Sequence, residues 1–485
     1  MRKAIFLCIS FIACAAAAVW SDVPYDSYTY NRWKEPVEAP HAYIPGAMLR
    51  GEDLGVSGLS TPHGLFVHKK SQEVYLADTG NGRVLRFDKD FNLIKVYEGF
   101  KDPNDIFVTE DGIIYVADTG NARIVILNGD GSVIDEYGAP KSDLIPEDFV
   151  YKPLKVALDR ASRIYIVAQG VNEGLIELSK DGVFKEYFGA TKVTVNPADY
   201  IWRIFSTQAQ RKTMRRIVPT VYNNISIDSE GFMFTTTSAY TRQQIESAIF
   251  WGNSQVTPVR RLNPQGQDIL KKDDFYPPVG DILFVSKESS VPGASSLCDI
   301  AINDIGMYYV LDQRRGRIFT YDPNGKLVTI FGGLGNREGL LRIPVAIELL
   351  GEDILVLDSQ NAAVTVYKPT KYGRDVNTAI TDYYKGRYDR SKGNWEKALE
   401  QNANLEWAYY GIGSSLYRED RFEDAMEYFQ IIRRAEPFSR AFKYYRKEVA
   451  EKYFGWFIFG FAAIYVIYRV LKFYYKKRTE GTTKA

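Results

Sequence analysis

The chain has 485 residues and sets 61 Lys and Arg against 60 Asp and Glu, a formal charge of +1. This balance supplies no global field for nucleic acid, and the length suits one large domain with one smaller one. Aromatic residues make up 14 %, with 34 Tyr, a content that strand packing explains more simply than a carbohydrate-stacking surface does.

At the N-terminus, MRK precedes the apolar run AIFLCISFIACAAAA. A positive start, a short apolar stretch and small residues read as a signal peptide over residues 1–18, cut near Ala18. Its removal takes Cys8 and Cys14 away and leaves Cys298 with no partner for an intramolecular disulfide.

Residues 41–370 repeat themselves. VYLADTGNGRVLRF (74–87) and IYVADTGNARIVIL (114–127) are two copies of one hairpin, and further units begin at Arg163, Gly231, Met307 and Asp353. Each follows a short phrase suited to an inner strand: PHGLFV, PNDIFV, PLKVAL, NNISID, CDIAIN and PVAIEL. A period of this length with several strands per unit predicts six four-stranded propeller blades. The sixth unit passes from VTVY straight into helix-like sequence, so HAYIPGAMLRG (41–51) is expected to supply its missing strand and close the ring.

The phrase P-x-x-I-x-V, then Y-V-A-D-x-x-N-x-R-I, then an aromatic residue and Gly, resembles the NHL repeat of six-bladed β-propellers. The resemblance implies a mainly β fold and leaves function open, because propellers host lactonases, lyases and binding platforms alike. Residues that recur in every unit serve a need that recurs. Asp78 and Asp118 are expected to accept N–H groups of their own turns, Asn81 and Asn121 to adopt the left-handed conformation, and Arg83 and Arg123 to meet an Asp. DTGN is therefore read as scaffold.

Function is sought where the units differ. The starts of the inner strands align His63, Asn104, Leu154, Asn223, Cys298 and Val345, and then Gly64, Asp105, Lys155, Asn224, Asp299 and Ala346. Of these, His63, Asn104, Asp105, Lys155, Asn223, Asn224, Cys298 and Asp299 are the candidate binding residues at the channel mouth. Resemblance to gluconolactonase-like propellers implies a Ca²⁺ held by Glu, two Asn and Asp. Asn104 and Asn223 match, but His63 stands for the Glu and Cys298 for the Asp. Ca²⁺ would need Asp105 and Asp299, and a softer ion such as Zn²⁺ would use His63 and Cys298. The simplest expectation is a polar funnel with no cofactor. The three histidines, His41, His63 and His68, form no zinc-type cluster, and no catalytic triad stands out.

Between units three and four, the insertion 196–219 reads as a basic amphipathic helix with Trp202, Arg203, Phe205, Arg211, Lys212, Arg215 and Arg216, suited to a partner or a membrane surface. A second insertion, SAYTRQQIESAIFWGNSQVTP (238–258), interrupts unit four. Together they mark the least repetitive side as the expected partner face.

Residues 376–452 change character. WAYYGIGSSLYREDRFEDAMEYFQIIRRAEP resembles a tetratricopeptide repeat, with Gly413 and Ala425 allowing close helix approach and Tyr409, Leu416 and Phe429 filling the seam; Trp395 and Ala398 mark a degenerate partner. A helical stalk is expected. Residues 453–475 hold the uncharged run YFGWFIFGFAAIYVIY, read as a transmembrane helix, and the basic tail 476–485 places that end in the cytoplasm. The arrangement resembles envelope proteins of Gram-positive bacteria linked to carbohydrate uptake. The reading is a single-pass membrane protein with an extracellular propeller that binds a protein or carbohydrate partner, more a binding or assembly protein than an enzyme. The alternative is a gluconolactonase-like, metal-dependent hydrolase with an altered metal site.

Overall fold

Alternating apolar residues build strands that pair with their sequence neighbours, and here they form six antiparallel sheets. The computed structural model describes residues 23–142, 144–145, 149–189, 221–238, 240–274, 276–282 and 291–482. Residues 1–18 and the insertion 196–219 lie outside them, so the signal peptide and Trp202, Arg203, Phe205, Arg211, Lys212, Arg215 and Arg216 receive no structural account. The chain divides into two compact units, with the boundary between Arg374 and Asp375.

The first unit is a six-bladed β-propeller. The innermost strands are Gly64–His68, Pro103–Val108, Pro153–Leu158, Asn224–Ile227, Leu297–Ile302 and Pro344–Leu350, and each touches the next until the sixth returns to the first. Between blades lie apolar seams such as Tyr75, Ile106, Val116 and Val125 between blades one and two. In the sixth blade Tyr43–Arg50 pairs antiparallel with Ala363–Pro369, Tyr43 opposite Pro369 and Arg50 opposite Ala363. A strand from the start of the repeat region thus completes a sheet begun at its end, which leaves no open edge there.

Two blades depart from the four-strand expectation. Among the described residues blade four has three strands, and beyond Val259–Leu262 a single bridge joins Leu262 to Asp268. The chain leaves because residues 273–274 are needed next door: the Asp273 N–H donates to Asn324 O, and Asp274 accepts from the Leu327 N–H. Blade five has six strands. Tyr28–Tyr30 pairs with its outer strand, and Pro36–Glu38 folds back on Tyr28–Tyr30. The repeat pattern assigns nothing to residues 23–40, although Tyr28 and Tyr30 alternate at strand spacing. The phenols of Tyr28 and Tyr30 donate to the buried Asp281 carboxylate at 3.2 and 2.6 Å, and Arg317 pairs with the same group.

Among the described residues the second unit holds most of helix Lys371–Tyr384, followed by helices Tyr388–Gln401, Glu406–Arg418, Phe422–Ile431 and Ala435–Thr482, these four each packed on the next. A Cβ on Gly411 would lie 2.2 Å from the Trp395 ring, and one on Gly413 would lie 2.8 Å from Phe429, so both glycines set helix separation. Tyr409 does not fill the seam. Its hydroxyl turns back to Ala403 O, and Tyr410 faces Phe429 instead, with ring centroids 5.9 Å apart. The last helix is long and apolar enough to cross a membrane.

Deleting Tyr43–Arg50 should bare the Ala363–Pro369 edge and lower the Tm of the propeller by about 10 °C or more in calorimetry. An unchanged Tm would show that this strand does not hold the ring.

Candidate functional site

Two sets of polar side chains lie where the chain enters the inner strands, one recurring and one unique. In the recurring set, a wholly buried Asp ends the second strand of a blade and reaches the segment that enters the same blade's inner strand. Asp78 Oδ1 accepts from the Ser60 N–H (2.7 Å), Asp118 Oδ1 from Lys101 N–H (2.7 Å) and Asp312 Oδ1 from Ser296 N–H (2.9 Å). In the first two blades the other oxygen accepts from Asn81 and Arg83 Nε at 2.8 Å each, and from Asn121 and Arg123 Nε at 2.9 and 2.8 Å.

The expectation for these turns is corrected in two respects. Asp78 and Asp118 tie down the entry segment rather than their own turn, because the turn is a 3₁₀ bend that brings Asn and Arg to the second carboxylate oxygen. The left-handed residues are Gly82 (φ 64°) and Ala122 (φ 53°), not Asn81 and Asn121, which lie inside that bend. The residue after the Asp works between blades: Thr79 donates to Pro103 O (2.7 Å), and Gln313 to Pro344 O (3.1 Å).

The unique set follows from a β-bulge. Pairing shifts between Pro103 and Asp105, Pro153 and Lys155, Leu297 and Asp299, and Pro344 and Ala346. Asn104, Leu154, Cys298 and Val345 are the extra residues, each half-buried.

Behind them, Lys155 Nζ lies 3.2 Å from Asp105 Oδ1, an ion pair between blades two and three. Asp105 Oδ2 also accepts from the Val156 N–H (3.1 Å). Across the channel, Asp299 accepts from its neighbour Ile300 N–H and from Ile347 N–H of blade six, both at 2.8 Å. Burial works against the Lys155 charge, but Asp105 and Asp299 outweigh it and raise its pKa. Burial likewise lifts both carboxyls; Asp299 is pushed up to about 6, with Lys155 and two N–H groups resisting.

The remaining candidates fall into place around this pair. Burial lowers His63, while its Nδ1 lies 2.8 Å from Thr61 O and Lys155 adds to the lowering. Burial, Asp299 and Asp312 push the Cys298 thiol well up, and its Sγ faces the carbonyls of Leu311 and Pro344. Asn223 is drawn away to blade five, donating to Leu297 O (2.7 Å) and accepting from Thr236 (2.5 Å). Asn224 is buried, with no partner for Nδ2 among the described residues. The structure therefore gathers Asp105, Lys155, Asp299, Cys298 and His63 into one electrostatic neighbourhood and ties Asn223 into the wall.

Sequence reasoning missed Glu348. It lies two residues beyond Ala346 on the same strand, hence on the same face, and burial followed by repulsion from Asp299 pushes it up to about 8. Reading the register one step further along each inner strand would have exposed it as the lone ionisable residue among Phe66, Phe107, Ala157, Ser226 and Ala301.

These residues do not fit a Ca²⁺ centre. Asp299 spends both oxygens on backbone N–H groups, Asp105 spends one on the Val156 N–H and the other on Lys155, which already supplies the cation beside them, and Asn223 is committed to a carbonyl. Among the described residues, no three His, Cys, Asp or Glu side chains converge for a metal.

The NHL repeat family matches residues 100–127, in agreement with the architecture. No curated protein matches the chain. Among solved structures it is similar to a streptogramin B lyase, at 11 % identity over 71 % of this chain and 87 % of that one, with a TM-score of 0.38. It is also similar to virginiamycin B lyase from Staphylococcus aureus, at 13 % identity over 63 % and 84 %, TM-score 0.37. A gluconolactonase from Xanthomonas campestris shares 8 % identity over 72 % and 96 %, TM-score 0.42.

Glu348 and Asp299 have folded pKa values above their ordinary ones, so the stability they contribute is complete at low pH and drains away as pH rises through about 6 and about 8. Glu348→Gln should leave Tm near pH 5 unchanged and raise it near pH 9 relative to the parent chain. Lys155→Met leaves two buried carboxyls without their cation and should cost about 3–5 kcal/mol in denaturant unfolding, more above pH 6 than below.

Proposed function

We propose that this chain, an NHL-repeat β-propeller followed by helices, is a membrane-anchored binding or assembly protein with its propeller outside the cytoplasm. Its ligand is a protein or carbohydrate partner taken on the least repetitive side. The observation that carries the reading is the employment of the channel residues. Asp105, Asp299 and Asn223 hydrogen-bond the backbone of the following blade, and Lys155 neutralises the two carboxyls. Groups held this way hold a ring together; none is poised to activate water or polarise a carbonyl. Variation among blades at the mouth then reflects packing, and recognition falls to the segments that interrupt the repeat.

The final helix, long and apolar enough to span a bilayer, supports the anchor, and its basic end supports a cytoplasmic C-terminus by the positive-inside rule. Protease added to intact cells should remove the propeller and spare a C-terminal tag; the opposite pattern would overturn the orientation. The full chain purified in detergent should carry no stoichiometric metal. Tightly bound metal together with a lactonase activity, both lost in Asn104→Ala, would replace this reading with a gluconolactonase-like hydrolase.

A further inference from the structure

Three large aromatic side chains stand in water on two elements of the propeller that Lys34 joins: Trp33 at 63 %, Phe250 at 51 % and Trp251 at 87 % exposure. They come from two elements far apart in sequence. Trp33 sits in the turn between Tyr28–Tyr30 and Pro36–Glu38, and Phe250 and Trp251 end the helix Arg242–Trp251. Lys34 joins them, since its Nζ donates to Ile249 O and lies 5.3 Å from the centroid of the Phe250 ring.

Both elements are rigid. The Asn31 side chain accepts from the N–H groups of Trp33 (2.9 Å) and Glu35 (3.0 Å), and its amide donates to the Glu35 carboxylate (3.1 Å). The helix opens with a capping box at Thr241 and Gln244, buries Ile245, Ala248 and Ile249, and stops at Gly252 in the left-handed conformation. The aromatics are thus held outward by built structure, although covering side chains of this size is strongly favourable.

Their chemistry selects the cover. Tryptophan concentrates at membrane–water interfaces, where an apolar ring and a polar N–H meet two environments at once. A cation lies over two of the rings: the Arg32 guanidinium is 4.1 Å from the centroid of Trp33, and Lys34 is over Phe250. A ring among glycerol and acyl groups with its cation at phosphate level is the arrangement that such pairs fit. The nearby Glu35 carboxylate is engaged by Asn31. The same chain carries a helix able to span a bilayer.

We propose that Trp33, Phe250 and Trp251, with Arg32 and Lys34, form a surface that seats the propeller on phospholipid, preferentially anionic. The proposal rests on the reading of this chain as membrane-anchored. It gives the propeller a peripheral lipid contact of its own, in addition to the spanning helix.

The test uses the full chain reconstituted in phosphatidylcholine vesicles, with and without phosphatidylglycerol, containing lipids brominated on the acyl chain. Bromine quenches tryptophan only at membrane depth. In the parent protein a quenched component should exceed that of the Trp33→Phe/Trp251→Phe variant, and the excess should grow with phosphatidylglycerol and shrink in Arg32→Glu/Lys34→Glu. Trp456, in the apolar stretch of the last helix, stays in every variant. If Trp456 is quenched while the two substitutions remove only unquenched emission, the lipid surface is refuted and the patch is left to a protein or carbohydrate partner. If Trp456 itself is not quenched, the membrane anchor fails, and this proposal with it.

Discussion

A buried carboxylate at the end of a blade's second strand is the contact on which the rest of the propeller depends. Asp78, Asp118, Asp312 and Asp358 are wholly buried, and each accepts N–H groups from the segment that leads into its own inner strand. A buried charge without partners costs several kcal/mol, so the entry segment has one position that satisfies it. That position fixes where the inner strand starts, where its bulge falls and which side chains reach the channel. Asn81, Arg83, Asn121 and Arg123 then hold the carboxylates in turn, which is why the phrase DTGN-x-R appears twice nearly unchanged.

With the inner strands set, the channel mouth becomes a place where blades are joined. Asp105, Asp299, Asn223 and Ser226 each reach backbone groups of the following blade, and Lys155 ties the second blade to the third. A Cβ on Gly64 would lie 2.8 Å from Asn104 O, so blade one approaches blade two with no side chain between them. Polar residues in a propeller channel invite a catalytic reading. Here much of their hydrogen-bonding capacity is consumed by the ring, and the carboxyls are raised chiefly by burial.

The outer edges show a second constraint, the management of unpaired strand ends. Blade six takes Tyr43–Arg50 and blade five takes Tyr28–Tyr30, so the chain's early residues cover two edges. The Tyr28, Tyr30, Asp281 and Arg317 cluster fastens the second of these. Its turn, which carries Trp33, is held against the helix of blade four through Lys34, which also lies over the Phe250 ring. Edge covering thus also presents large aromatic side chains at the surface.

What the sequence determined by itself was everything local and periodic. Six hairpins, two of them with Ala-Asp-Thr-Gly-Asn at the same offset, declared the blades, the absence of an outer strand after Tyr367 called for one from elsewhere, and a run of uncharged residues declared the final helix. The truncation of blade four, the added strands of blade five and the meeting of Lys155 with Asp105 were decided only by tertiary structure. The physical reason is separation along the chain: Asp105 and Lys155 lie 50 residues apart, and Tyr28 and Asp281 lie 253 apart. Strand period and turn chemistry act over a few residues, whereas these partners meet only once the ring has closed. Glu348 stands between the two cases, visible in the alternation of its strand, yet shifted only because the closed ring buries it and brings the Asp299 charge near.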